Sequence, residues 1–417
     1  MLSAQAVPVV RATLPAVGAS LNTITERFYQ RMFEERPELL RHLFNRANQA
    51  NGAQREALAG SVAAFATLLV ERPDERPDER SDAILSRIAH KHVSLGITAD
   101  KYTLVGRHLL AAIAEVLGDA VTPQTAAAWD EVYWLMANSL IAMEARLYAQ
   151  ASVQDGDVWR QMEIAERHQE SPDAVSLVLR RPDARPATAF QPATAFQPAT
   201  AFRPGQYVSV RVELPDGGHQ IRQYSLSTAP GHKTWRITVK REKSADGTAP
   251  DGEVSSWLHA HARPGRTLEV SLPAGDLVLP DADTPLLLAS AGIGITPMLS
   301  MLDHLALAGS TSPVTVVHAD RTPADHVHRD EQAELIDRLP KATLHLWYEN
   351  NADQHPAPNV SPGRATLDNL TLPKDTTAYL CGPLPFMRAV RGDLLHKGLH
   401  PSAVHYEVFG PDLWLGK

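Results

Sequence analysis

The chain has 417 residues, 44% of them hydrophobic and 21% charged, an ordinary globular composition that excludes wholesale disorder and, at roughly 150 residues per domain, suggests two or three domains, three being the working count. Its 40 basic side chains are outnumbered by 48 acidic ones, a formal charge of −8 without the basic stripe that tracks a phosphate backbone, which excludes nucleic acid as a partner. A start, MLSAQAVPVVRATLP, without signal-peptide order, apolar runs far short of the roughly 18–20 residues of a membrane span, and a single cysteine, Cys381, point to a cytoplasmic chain with no membrane span and no intrachain disulfide.

Residues 1–150 read as helix after helix, with apolar side chains at helical spacing and few strand-like alternations. Ile24, Phe28 and Met32 form one stripe; Leu104, His108, Ala111, Ala112 and Glu115, flanked by Leu109, Leu110 and Ile113, mark another helix with a core face. The tandem ERPDERPDER, Glu71 to Arg80, combines prolines and charges that oppose helix packing and predicts a solvated loop. After Gln150 the pattern changes, and Val158 to Glu166 opens a series of short alternating segments, which predicts a domain boundary there and strands beyond it. Among those strands PATAFQ-PATAFQ-PATAFR, Pro186 to Arg203, is too short a repeat to stack as a solenoid and predicts an extended surface loop. From Asp283 buried strands alternate with helices (PLLLASAG, TPMLSMLDHLALAG, PVTVVHAD, TAYLCGP, FMRAVRGDLLHKG), the pattern of a doubly wound α/β domain with a parallel sheet over residues 281–417.

Three groups of residues carry candidate chemistry. In the helical part His92, in SRIAHKHVSLGI, lies near the end of a helix with Ile84, Leu85 and Ile88; a neutral imidazole there can ligate a haem iron, and a lone helical histidine can equally be a hydrogen-bonded core or surface residue. Gln54 and Leu58 are one helical turn apart, so one face carries a polar group beside an apolar wall. Tyr29 can donate a hydrogen bond to an oxygen ligand in a dry pocket. In the middle part, Arg222-Gln223-Tyr224-Ser225 offers a planar guanidinium, an aromatic ring and a hydroxyl in close succession, with Arg222 and Tyr224 on one strand face. Gly252-Glu253-Val254-Ser255 reads as a turn into a helix whose N–H groups can meet phosphate. In the last part, Gly292-Ile293-Gly294-Ile295-Thr296-Pro297 follows a buried strand and opens a helix, a phosphate-binding turn by context that departs from GxGxxG because proline replaces the third glycine.

These residues resemble, in order and over essentially the full chain, the flavohaemoglobin family. FYQRMF with Tyr29, HLFNRANQANGAQREAL with Phe44, Gln54 and Leu58, KYTLVGRHLL with Tyr102, and the His92 helix are similar to that family's globin. RPGQYVSV with IRQYSLST, the GxGxTP turn, Tyr379-Leu380-Cys381-Gly382-Pro383 and His405-Tyr406-Glu407-Val408-Phe409-Gly410-Pro411 are similar to its ferredoxin-NADP reductase-like module, which implies an antiparallel β-barrel domain over residues 151–280. The resemblance implies haem b held by His92, with Phe44 wedged against it, Tyr29, Gln54 and Leu58 on the distal side, and Glu144 and Tyr102 hydrogen-bonding the proximal imidazole to make it more electron-donating. It makes Lys91 a tuner of the haem and flavin, and assigns FAD to Tyr207, Arg222, Gln223, Tyr224, Ser225, Gly252, Val254 and Ser255. NADH or NADPH falls to Gly292, Ile293, Gly294, Ile295, Thr296, Pro297, Cys381, Gly382 and Pro383, while Glu407, Val408, Phe409, Gly410 and Pro411 lie near the flavin, valine standing where cysteine is usual. It implies nitric oxide dioxygenation, with O2 and NO as substrates, by a monomer, and admits a lipid or azole-type ligand in the distal pocket. An oxygen or NO store and a flavin reductase of other acceptors stay as alternatives. The donor stays open, since no acidic residue follows the Gly292 turn at ribose spacing and Arg321 can pair with a 2′-phosphate.

Overall fold

The computed structural model describes residues 1–71, 79–182, 202–243, 251–280, 283–351 and 357–411; most of ERPDERPDER and the PATAF copies before Phe202 lie outside them. The chain divides into two compact units, one of Met1–Trp159 with Arg211–Arg222 and the stretch from Gly410, the other of Arg160–Val210 with Gln223–Phe409.

The first unit is built on helices α1 (Ala6–Glu35), α2 (Pro37–His42), α3 (Arg46–Ala50), α4 (Ala53–Glu71), α5 (Glu79–Leu95), α6 (Asp100–Leu117) and α7 (Pro123–Gln150). Their boundaries follow local chemistry. Asn45 caps α3 by accepting from the Ala47 and Asn48 amides, and Thr122 caps α7 ahead of Pro123 in its first turn, where a missing N–H costs nothing. Ile24, Phe28 and Met32 of α1 are buried in one core with Leu109, Ala112 and Ile113 of α6 and Trp129 and Leu140 of α7, as the helical stripes require.

The first sheet, most of it in the second unit although Arg211–Arg222 of β3 and β4 belong to the first, holds β1 (Trp159–Ser171), β2 (Ala174–Arg180), β3 (Tyr207–Glu213), β4 (His219–Ser225), β5 (Trp235–Lys240) and, after helix α8 (Glu253–His261), β6 (Thr267–Ser271), in the order β4-β3-β6-β1-β2-β5. A bridge between Leu226, just past β4, and Ile237 of β5 joins the two ends of that order, which closes the sheet toward a barrel. The second sheet is parallel, in the order β10-β9-β8-β7-β11-β12, from β7 (Leu286–Ala291), α9 (Ile295–Leu307), β8 (Val314–Asp320), α10 (Arg329–Asp337), β9 (Ala342–Tyr348), β10 (Val360–Pro362), β11 (Thr377–Cys381), α11 (Leu384–His396) and β12 (Val404–Glu407). All six residues of β7 are buried, as expected for a central strand covered on both faces. The chain leaves β7 for β8 on one side and reaches β11 on the other, so the direction of winding reverses between β7 and β11, where open α/β sheets receive ligands. Among the described residues no helix is long and apolar enough to cross a membrane.

His328 ties the parallel sheet to the barrel. It enters α10 in a left-handed conformation (φ 56°), with its ring between Thr238 Oγ1 (2.9 Å), Ser176 Oγ (3.3 Å) and the carboxylates of Glu331 (3.0 Å) and Glu170 (3.4 Å). Arg236 completes the group at 2.8 Å from Glu331. Burial opposes ionisation of Glu331, but His328 and Arg236 outweigh it and bring its pKa down from 4.5 to about 2. A carboxyl depressed on folding stabilises above its unfolded pKa, so the gain is complete above about pH 5 and fades as the pH falls toward 2. We expect the melting temperature of this unit to drop between about pH 5 and pH 3, and Glu331→Gln to flatten that slope by about 1 kcal/mol. An identical acid profile in the variant would show that the group contributes nothing.

Candidate functional site

The helical unit brings His92, Tyr102 and Glu144 together from three helices. His92 Nδ1 lies 2.8 Å from Glu144 Oε1 and 2.9 Å from the Tyr102 hydroxyl, and that hydroxyl donates to the same Glu144 oxygen at 2.5 Å. Glu144 is only 3% exposed, so a buried carboxylate fixes the Nδ1–H tautomer and leaves Nε2 as the nitrogen able to ligate. Burial, then the charge and hydrogen bond of Glu144, push the Tyr102 proton affinity up and keep the phenol neutral. Tyr133 holds this arrangement from behind by donating to the Tyr102 carbonyl at 2.5 Å, and Gly106 admits its ring, since a Cβ there would stand 2.4 Å from Cε1. Neither Tyr133 nor Gly106 is marked by sequence reasoning; their partners are a helix away. Lys91 precedes His92 on α5 and its carbonyl accepts from Ser94.

Tyr29 is buried on α1 among Phe28, Phe33 and Phe44, with the Phe44 ring 5.7 Å away edge-on. Burial drives its proton affinity up, with Gln54 and Gln49 partly opposing through hydrogen bonding. Gln54 is expected on the distal side with Leu58; Gln49 carries no mark in the sequence beyond being a second amide five residues ahead. Leu58 and Phe44 pack on the core while staying partly exposed. Among the described residues no group of three or more His, Cys, Asp or Glu is placed to hold a bare metal ion. One histidine whose Nδ1 is held by a carboxylate and whose Nε2 has no hydrogen-bond partner among the described residues instead fits a metal that brings its other ligands with it, as haem iron does.

On the barrel, β4 carries Arg222, Gln223, Tyr224 and Ser225 in succession, which fixes Arg222 and Tyr224 on one face. Ser225 is 4% exposed and its hydroxyl is buried without a partner among the described residues, the kind of orphaned polar atom that a bound ring nitrogen would satisfy. Gln223 donates to Ser209 (2.9 Å), and the Arg222 guanidinium donates to the Ile221 carbonyl (2.7 Å) and to Asn45 (2.8 Å). Tyr207 begins β3, paired through its backbone to Ala274, with Gly275 directly against its ring. Gly252 precedes α8, Val254 is buried, and the Ser255 hydroxyl donates to the Gly252 carbonyl while accepting from the Glu242 amide.

At the winding reversal, the turn Gly292–Gly294 leaves β7 and α9 begins at Ile295, with Thr296 and Pro297 in its buried first turn. Gly292 has a left-handed φ of 53°. The second turn, Gly382-Pro383, leaves β11 beside it, and a Cβ on Gly294 would lie 2.3 Å from the Cys381 carbonyl oxygen. Cys381 is buried, its thiol pushed well up by burial and by Glu407, its register partner on β12. Val408 and Phe409 follow β12, Phe409 being exposed; Gly410 has φ 131° and Pro411 is half-buried. Asp320 ends β8, the neighbour of β7, with one carboxylate oxygen buried 3.7 Å from His318 Nε2 and without a hydrogen bond among the described residues, and Arg321 is drawn to Asp325 at 3.2 Å.

Comparison with known proteins agrees with both halves. A globin family model matches residues 26–140 and an oxidoreductase NAD-binding domain model matches residues 288–392. The flavohemoprotein of Rhizobium meliloti is 39% identical over 99% of this chain and 100% of its own, and that of Chromobacterium violaceum 40% identical over 98% of each. A crystal structure of flavohemoglobin from Malassezia yamatoensis with bound FAD and heme is 34% identical and superposes with a TM-score of 0.84 over 98% of this chain and 100% of that one.

Proposed function

Because this chain belongs to the flavohaemoprotein family, we propose that it is a nitric oxide dioxygenase that uses NAD(P)H and O2 to convert NO to nitrate. His92 Nε2 would hold haem; Tyr207, the Arg222–Ser225 strand and the Gly252–Ser255 turn would hold FAD; the Gly292–Pro297 and Cys381–Pro383 turns would receive the dinucleotide, near Glu407 to Pro411. When bound, FAD splits a hydride pair into single electrons and haem supplies the iron at which O2 and NO react. The observation that carries the reading is the buried Glu144 on His92: a carboxylate there makes the imidazole a stronger donor, which suits oxygen chemistry rather than storage.

On the other side, Tyr29 keeps its proton and can donate it in a hydrogen bond where negative charge builds up on an oxygen substrate. Asp320, at the end of the strand beside the glycine turn, would accept from a ribose 2′-hydroxyl and repel a 2′-phosphate, which favours NADH. The test is NO consumption by the purified protein in air-saturated buffer with NADH, with nitrate as product; uptake no faster than without NADH would defeat the proposal. Tyr29→Phe should consume NO about tenfold more slowly with unchanged flavin reduction, the cost of one charge-assisted hydrogen bond; an unaltered rate would remove Tyr29 from the chemistry.

A further inference from the structure

Three arginines gather at the far end of α8, and among the described residues the acid that acts on Arg241, Asp173, makes no ion pair with any of the three. Arg167 lies on β1, Arg241 just follows β5, and Arg263 follows α8. Their charges act on one another: burial, then Arg263 and Arg241, disfavour the Arg167 charge. Among the described residues none of the three is within ion-pair distance of a carboxylate, in a chain whose net charge is −8. Asp173, the acid that does act on this region, is already bonded to Lys243 at 2.6 Å. Arg167 and Arg241 each bury an Nε–H without a partner.

One histidine organises the group. His259 is 5% exposed and its Nε2–H donates to the Val239 carbonyl at 2.9 Å, which makes Nδ1 an acceptor for Arg241 Nη2 at 3.2 Å. Its backbone carbonyl accepts from Arg263 Nη1, also at 3.2 Å. Burial, together with Arg241 and Arg167, keeps this ring neutral, so it orients the two guanidiniums without adding a fourth charge. The Arg241 and Arg263 heads are therefore already oriented, and part of the entropy that binding would otherwise cost is spent in folding.

We propose that Arg167, Arg241 and Arg263 form a site for a phosphate-type oxyanion, separate from both nucleotide positions. A multiply charged tetrahedral anion with several acceptor oxygens suits converging guanidinium forks better than a single carboxylate does. The site is not the pyrophosphate turn: Gly252 starts α8 and His259 lies in its last turn, about 10 Å further along the axis. Nor is it the Gly292 turn, which belongs to the parallel sheet.

The experiment is calorimetric titration of inorganic phosphate, at constant ionic strength, into full-length protein saturated with FAD and NAD+ so that both nucleotide positions are filled. Saturable binding is expected in the wild type, and each of Arg167→Gln and Arg263→Gln should weaken it about tenfold, the loss of one charge-assisted contact. Flavin content and melting temperature confirm folding of the variants, and Arg263, being exposed, decides the matter if Arg167→Gln does not fold. Co-sedimentation with phosphatidylglycerol vesicles, against phosphatidylcholine controls, separates the sources of the phosphate. Phosphate binding without sedimentation means a soluble ligand, and sedimentation lost in the same variants means a lipid headgroup; either sustains the site. No saturable binding of phosphate or vesicles, or binding indifferent to all the variants, overturns it.

Discussion

Gly294→Ala is expected to lower kcat/KM for NADH by at least about a hundredfold, because a misplacement of roughly 1 Å in a binding turn costs that much. The reason is steric rather than conformational, since Gly294 has an ordinary helical φ of −62°. An added Cβ would lie 2.3 Å from the Cys381 oxygen, 2.6 Å from its carbonyl carbon and 2.8 Å from the Gly382 nitrogen, all backbone atoms that no rotamer change can move. The two turns at the winding reversal must separate, and both are proposed to contact the dinucleotide. Gly292 supplies the control: its Cβ would meet nothing within 4 Å, so Gly292→Ala costs only the strain of a left-handed φ, about 1 kcal/mol or some fivefold. Anaerobic stopped-flow bleaching of the flavin by NADH reads both. If Gly294→Ala is no worse than Gly292→Ala, the contact between the turns does not hold the site.

The same glycine shows how far the sequence could be read. A buried strand, a GxGxTP turn and a helix are local features, and each falls where periodicity and turn chemistry place it; the closeness of Gly294 to Cys381, nearly ninety positions on, is a product of β7 and β11 pairing and has no local mark. The helical site divides likewise. Gln54 and Leu58 declare a shared face by spacing alone, whereas Glu144 is joined to His92 only by resemblance, and Tyr133 and Gly106 are silent because their role is to steady other residues. On the donor, a count of residues from the Gly292 turn passes over Asp320, the residue proposed to meet the ribose; strand order, which makes β8 the neighbour of β7, is what brings it forward as a candidate. The arginines at His259 come from three separate elements and match no motif, so only the closed sheet brings them together.

His92→Ala should reduce NO consumption to below about 1% of wild type while leaving NADH-driven reduction of the flavin intact. Among the described residues His92 is the histidine that bonds Glu144 and Tyr102, and an alanine there leaves a 3%-exposed carboxylate with the Tyr102 hydroxyl but no imidazole donor. Such a carboxylate loses its N–H donor and becomes costly to keep charged, so the proximal helices should also loosen. Glu144→Gln separates the two effects: it keeps an oxygen for the His92 N–H but withdraws the charge, and about a tenfold to hundredfold loss is expected with the Soret absorption retained. The order His92→Ala far below Glu144→Gln, itself below wild type, is what a ligand and its buried counter-charge must give. A Soret band and turnover at wild-type strength in His92→Ala would mean that another group holds the iron.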